Sequence, residues 1–381
     1  MKPIKIAVLS VSAGAGHVRA AQALCAQAAL TYPQWQMTHI DLMDIVPRTF
    51  RKLYAESYIK LVEKAPLLWA YLYQRSDKRT RASKSDRIRR GIEKLNTAKF
   101  DAEIEKLAPD AIICTHFLPA ELLSRRIRKR RPTPPVWVQV TDFDVHGLWI
   151  HEHMHAYFVA NDEVAARLRA KGIDAHIHVT GIPIMPVFGS APPRDVAVAE
   201  LGLQPHKPIV LMMSGGAGVG GIEVLAERLA ALPQDMQIIA LAGRNEALLS
   251  KLKLIAKKYP DRLWPMGFTR TIERVMAAAD FAITKPGGLT SSECLAMNLP
   301  MIVISPIPGQ EERNADFLLE SGAALKSVDA ASLEYKVCRL LEHPNELVMM
   351  RERMRAVARP QAAARVLAAV AAHLHAQDKP G

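Results

Sequence analysis

At 381 residues, with 49% hydrophobic and 23% charged residues, the chain is globular in composition and long enough for two domains with ordinary cores. No run of 18 apolar residues occurs, which excludes a transmembrane helix. The four cysteines (Cys25, Cys114, Cys294, Cys338) have no paired spacing, which excludes a disulfide framework and a cysteine-built zinc site. The net charge of +12 is unevenly shared: residues 1–190 hold 28 Lys/Arg against 18 Asp/Glu, and residues 48–99 alone hold 15 against 5. That half is built to meet an anionic surface.

Along the chain, short apolar runs predict strands at Ile4–Ser10, Ala111–Thr115, Val136–Thr141, Ala156–Val159, Ile209–Met213, Gln237–Ala242, Phe281–Thr284 and Met301–Ile304. Their near-continuous hydrophobicity marks strands covered on both faces, as in a parallel sheet between helical layers. Helices are expected at Val18–Thr31, Pro119–Lys129, Glu163–Lys171, Gly221–Ala231, Glu246–Lys258, Thr271–Ala278 and Thr290–Ala296. Lys2 and Lys5 before an apolar run imitate a secretory signal, but Ser10, Ser12, Gly14 and Gly16 break it; a buried strand entering a glycine loop fits better. The proline-rich stretch from Gly181 reads as a linker, after which a strand and a glycine turn with Gly215 and Gly216 repeat the opening arrangement. An Ala/Arg-rich tail interrupted at Pro360 closes the chain.

Five motifs carry candidate chemistry. In Ser12–His17, Gly14 and Gly16 let backbone amides approach a ligand at a helix N-terminus, and His17 sits where that terminus would keep an imidazole neutral and able to take a proton. Arg19 stands where a third dinucleotide-binding glycine would fall, and no P-loop lysine follows; a tight turn with an incidental histidine is the alternative. Asp142 and Asp144 form a DxD, for which a strand-end turn with a capping aspartate outweighs a metal pair. His151, His153 and His155 would line one face of a strand, a zinc-like pattern without a carboxylate or thiol partner, so a solvated or subunit-facing edge is favoured.

The strongest signal is Thr284–Glu293. A strand ends in Lys285-Pro286-Gly287-Gly288, and a helix then opens at Thr290, its amides and dipole directed at a diphosphate. Glu293, one turn in, is placed to accept from ribose hydroxyls, and Gln310, Glu311 and nearby Asn314 after the next strand are placed for sugar hydroxyls. Glu293 as an ordinary acid near a helix N-terminus would leave the second polar loop unexplained. The fifth motif is the basic segment 48–99, whose Phe50, Tyr54, Tyr58, Trp69, Tyr71 and Tyr73 suit anionic lipid better than nucleic acid or plain solvent.

These pieces resemble the diacylglycerol glycosyltransferases of glycosyltransferase family 28: SAGAGHVRAAQAL, TDFDVHGLWIHE, GIPI, AGRNEAL, ITKPGGLTSSECLA and PIPGQEERNA occur in order from residue 10 to about 325. The resemblance implies a GT-B α/β architecture, two Rossmann-like domains with parallel sheets facing across a cleft. Domains at 1–182 for the acceptor and membrane and at 183–355 for the UDP-sugar, with a closing helix at 356–381, are expected. It implies an inverting hexosyltransferase acting on a UDP-hexose donor and a diacylglycerol acceptor, with no cofactor, no metal and no nucleic acid, held peripherally at the cytoplasmic face of an anionic phospholipid membrane. His17 would be the base, with Asp142 its rival and His146 near the reacting centre. Glu293 would bind ribose, Gln310 and Glu311 the sugar, and Phe268 the uracil, with Gly14, Gly16, Gly215, Gly216, Arg244, Gly287, Gly288, Leu289, Thr290 and Asn314 around the substrates. A peptidoglycan-type GlcNAc transferase and a nucleotide-sugar epimerase remain as alternatives on the same scaffold.

Overall fold

The computed structural model describes residues 3–12, 14–46, 98–213 and 221–377. Most of the basic segment, including Phe50, Tyr54, Tyr58 and the Trp69 cluster, lies outside the described residues, as do Gly215 and Gly216. The chain divides into two compact units: Met1–Pro186 with Ile307–Gln310 and Gln361–Gly381, and Val187–Pro306 with Glu311–Pro360.

In the first unit, β1 (Lys5–Ser10), α1 (Ala15–Thr31), β2 (Gln36–Asp41) and α2 (Leu42–Ile45) are followed by α3 (Ala98–Leu107), β3 (Ala111–Cys114) and α4 (Phe117–Arg128). Then come β4 (Val136–Gln139), a 3-10 turn (Gly147–Trp149), β5 (Ala156–Val159), α5 (Asp162–Ala170) and β6 (His176–Val179). All pairings in this sheet are parallel, in the order β2-β1-β3-β4-β5-β6. Alternation along β1 sends Ile6 and Val8 to one face, and Ala7 and Leu9 to the other, so each face builds its own core.

The second unit runs α6 (Arg194–Glu200), β7 (Ile209–Met213), α7 (Ile222–Ala230), β8 (Gln237–Leu241), α8 (Glu246–Lys258), β9 (Leu263–Met266) and α9 (Ile272–Ala278). It continues through β10 (Phe281–Thr284), α10 (Gly288–Ala296), β11 (Met301–Ile304), α11 (Gln310–Glu320), β12 (Ala324–Ser327), α12 (Ala330–Glu342) and α13 (Pro344–Val357). Its sheet is again parallel, in the order β12-β11-β10-β7-β8-β9. Beyond Pro360, α14 (Ala362–Gln377) belongs to the first unit and covers the Ile6/Val8 face of its sheet with Val366, Leu367, Val370 and Leu374. Among the described residues, then, the architecture is two six-stranded parallel α/β units.

Both sheets carry their functional candidates on loops after the strands. All strands of a parallel sheet end on the same side, so these loops are gathered by topology rather than by sequence proximity.

Candidate active site

In the first unit the glycine loop enters α1 earlier than the sequence suggests. Gly14 is the N-cap with φ 119°, a conformation that side chains rarely adopt, so Gly16 and His17 lie inside the first turn. His17 is held from across the sheet. Its Nδ1 is 3.0 Å from the Thr115 carbonyl and 2.8 Å from Thr141 Oγ1, while Thr115 Oγ1 donates to the His17 carbonyl at 2.9 Å. A carbonyl can only accept, so Nδ1 carries the proton and Nε2 keeps a lone pair. Burial lowers the His17 pKa to about 4, against a smaller upward pull from the Thr115 carbonyl. Desolvation, not the helix N-terminus expected from the sequence, is the main cause.

Two neighbouring histidines take the opposite tautomer. His116 caps α4 by accepting from Leu118 N–H at Nδ1 (3.0 Å), and His146 caps the 3-10 turn by accepting from Leu148 N–H (3.1 Å). Each therefore carries its proton on Nε2. The His116 and His17 rings stand at 84° with centroids 4.5 Å apart, and Trp149 lies 6.3 Å from His17.

Asp142 is buried, and both of its oxygens accept from Gln310 Nε2 at 2.9 Å. Asp144 has a different partner, Arg167 Nε at 3.0 Å, so the two acids of the DxD are committed separately.

The expected row of three imidazoles on one strand face is corrected. Residues 151–155 precede β5 as a turn, with His153 in a left-handed conformation at φ 66°, so strand alternation does not operate there. His151 is buried with Nδ1 3.2 Å from Glu121, whereas His155 packs against His373 with ring centroids 3.9 Å apart. Among the described residues no group of three candidate metal ligands is brought together.

In the second unit, β10 runs into the Pro286-Gly287-Gly288 turn, and α10 starts with Gly287 as N-cap and no side-chain cap. A glycine N-cap brings no side chain of its own to the first-turn amides, which suit an anion. A Cβ on Gly287 would lie 3.9 Å from Glu311 Oε1, so the loops after β10 and β11 meet. Asn314 is fully buried on α11, and Glu293 is half-buried on α10. After β8 and β9, the Arg244 guanidinium carbon lies 4.7 Å from the centroid of the Phe268 ring, which remains 55% exposed. At the strand ends of this sheet Arg244 meets Phe268 after β8 and β9, and Gly287 approaches Glu311 after β10 and β11; Gly288, Leu289, Thr290 and Glu293 follow on α10 and Asn314 on α11.

Comparison with known proteins gives this geometry its context. Residues 17–184 match the monogalactosyldiacylglycerol (MGDG) synthase family model, and residues 216–368 match the glycosyltransferase family 28 C-terminal domain. A processive diacylglycerol beta-glucosyltransferase of Bacillus pumilus is 33% identical over 266 residues, 69% of each chain. A protein of the same name from Bacillus cereus is 29% identical over 386 residues, covering 99% of this chain and 96% of its own. The chain belongs to the diacylglycerol glycosyltransferases of glycosyltransferase family 28.

Solved structures agree on the fold of this family 28 protein. The S. aureus MnaA–UDP co-structure aligns with a TM-score of 0.64 at 13% identity, covering 99% of both chains. Acinetobacter baumannii MurG aligns with a TM-score of 0.58 at 16% identity, covering 96% and 98%. The fold class is GT-B.

Thr115, His116, Glu121 and Trp149 are the parts of the site that the family motifs quoted above do not single out as functional. The available signal was positional: Thr115 and His116 directly follow an apolar strand, as the other candidates do.

Proposed function

We propose that this family 28 glycosyltransferase moves a hexose from a UDP-hexose to the 3-hydroxyl of diacylglycerol, with inversion at the anomeric carbon. The observation that carries the chemistry is the His17 tautomer. Nδ1–H is fixed on the Thr115 carbonyl, which leaves a neutral Nε2 to accept a proton. In the transfer, Nε2 takes the acceptor hydroxyl proton as its oxygen bonds to the anomeric carbon, and the bond from that carbon to the diphosphate oxygen breaks. UDP departs with the electron pair, and its charge is met by the uncapped first turn of α10. The imidazolium that forms keeps its Nδ1–H on Thr115.

The donor belongs to the second unit in this reading, with Phe268 and Arg244 at the uracil, Glu293 at the ribose, and Glu311 and Asn314 at the sugar. Gly215 and Gly216, which follow β7 in the sequence, are proposed to belong to the donor site as well. The acceptor belongs to the first unit, with Gly14, Gly16, Asp142 and His146 around the hydroxyl. Gln310, which donates to both oxygens of Asp142, is the remaining residue proposed for the sugar hydroxyls.

Among the described residues no helix is long and apolar enough to cross a membrane. Attachment is therefore proposed to be peripheral, at the cytoplasmic face, through residues 48–99 with 15 basic against 5 acidic side chains. Each Lys or Arg at an anionic surface contributes ~1 kcal/mol.

The test is UDP release from UDP-glucose and UDP-galactose with and without diacylglycerol vesicles, with the lipid product identified by mass spectrometry. A lipid-dependent signal and a hexosyl-diacylglycerol product are expected. Interconversion of UDP-sugars without lipid would replace the transferase with an epimerase.

A further inference from the structure

We propose that His116 is a positioning residue for the reaction: its ring fixes the plane in which His17 presents Nε2 to the acceptor hydroxyl. This rests on reading His17 as the base. The residues after β3 grip His17 in two different ways. The Thr115 carbonyl at 3.0 Å and Thr141 Oγ1 at 2.8 Å both hold Nδ1, but they act on one ring atom and leave the plane of the ring to be set by packing. His116 supplies that packing: its ring stands at 84° to the His17 ring with centroids 4.5 Å apart.

His116 is itself immobilised. It is only 2% exposed, its Nδ1 is tied to Leu118 N–H at 3.0 Å, and the rings of Phe117 and Trp149 lie 4.1 Å and 6.4 Å away. The same ties fix its charge. Taking a second proton would break the bond from Leu118, and burial together with nearby His17 and His151 holds the His116 pKa well below the usual imidazole range. A neutral neighbour adds no repulsion when His17 becomes an imidazolium. Titratable groups on the elements packed around the pair include Cys114 on β3, Glu121 on α4, and Asp142, Asp144, His146 and His151 on the loop after β4.

Two roles of His116 have to be separated, the cap of α4 and the ring against His17. His116→Asn keeps a good cap acceptor and deletes the ring. His116→Phe keeps a ring and deletes the acceptor. The readouts are circular dichroism and melting temperature, kcat and donor KM, and the NMR titration of the His17 imidazole, assigned by its loss in His17→Gln.

The Asn variant is expected to keep its melting temperature and its donor KM within about two-fold, while kcat falls about 10-fold or more as the base loses its alignment. With the ring gone and water admitted, His17 should titrate well above the wild-type value of about 4, moving toward 6.5. The Phe variant is expected to melt earlier while His17 titrates near the wild-type value. An Asn variant with kcat within two-fold and an unmoved His17 titration would overturn the proposal. So would a Phe variant that reproduces the Asn variant's titration, since a retained ring would then have failed to hold His17. If the wild-type protein makes no glycolipid, the reading of its function fails, and the His17 titration still decides the contact.

Discussion

Acidification is the sharpest probe of His17. With a pKa of about 4, this imidazole is about nine-tenths neutral at pH 5, whereas an ordinary one at 6.5 would be about 3% neutral. In the proposed mechanism the neutral form is the base, so kcat/KM for the donor, which reports the free enzyme, should hold level down to about pH 5. It should then fall tenfold per unit once the pH is below about 4, provided the vesicles and fold persist. An unperturbed base would already have cost about 30-fold at pH 5.

The same shift makes a stability prediction. Between the unfolded pKa of 6.5 and the folded value of about 4, the unfolded chain binds more protons at this position than the folded one. Stability is therefore lost as pH falls through that window, by up to about 3 kcal/mol, and no further below it. His17→Gln lacks this titration, so wild type should lose ground against it between pH 6.5 and 4 in parallel urea denaturations. An acid limb of kcat/KM centred near pH 6.5, or wild-type and variant stabilities that stay parallel, would refute the desolvated neutral His17.

Thr141→Val removes the hydroxyl 2.8 Å from His17 Nδ1 and should lower kcat about 2- to 13-fold, the worth of one neutral hydrogen bond, with UDP affinity unchanged by calorimetry. Glu293→Ala should leave kcat near wild type at saturating donor but weaken UDP-hexose binding about 10- to 150-fold, because a charged acceptor on α10 is lost. Unaltered calorimetric affinity in a folded variant would take Glu293 out of the donor site. Treatment with EDTA should leave turnover unchanged, since the proposed transfer draws on His17 and the first-turn amides of α10 rather than on an ion held by Asp142 and Asp144. Loss of activity restored by manganese would reinstate them as a metal pair.

The eight strands read from apolar runs all exist, and the strands that escaped notice share one property. β2 (QMTHID), β6 (HIHV), β9 (LWPM) and β12 (ALKS) are the four edge strands of the two sheets. An edge strand has a neighbour on one side only and tolerates polar residues on its margin, so it lacks the continuous hydrophobicity that marks an interior strand. Pro265 within β9 is permitted for the same reason, because no further strand needs its missing N–H. Hydrophobic periodicity detects coverage, and coverage is what an edge lacks.

Visibility of the site followed a related rule. Residues grouped in short motifs, such as Lys285–Glu293 with Gln310–Asn314, could be placed at strand ends because a strand, a turn and a helix start occur together in one stretch of chain. What fixes the base could not be found that way. Thr115 lies 98 positions from His17 and Thr141 lies 124 positions away, yet both reach the same ring nitrogen. Those contacts exist because β3 pairs directly with β1, and β4 with β3, which aligns the residues following each strand on one edge. Backbone polarity at that edge then sorts the histidines. His17 meets a carbonyl and becomes an acceptor at Nε2, whereas His116 and His146 meet N–H groups and become donors there. Three identical side chains acquire two chemical roles from where a strand stops and whether a helix begins. A sequence read one element at a time offers the residues; the pairing of strands decides which of them has a free ring nitrogen suited to the proposed role of base.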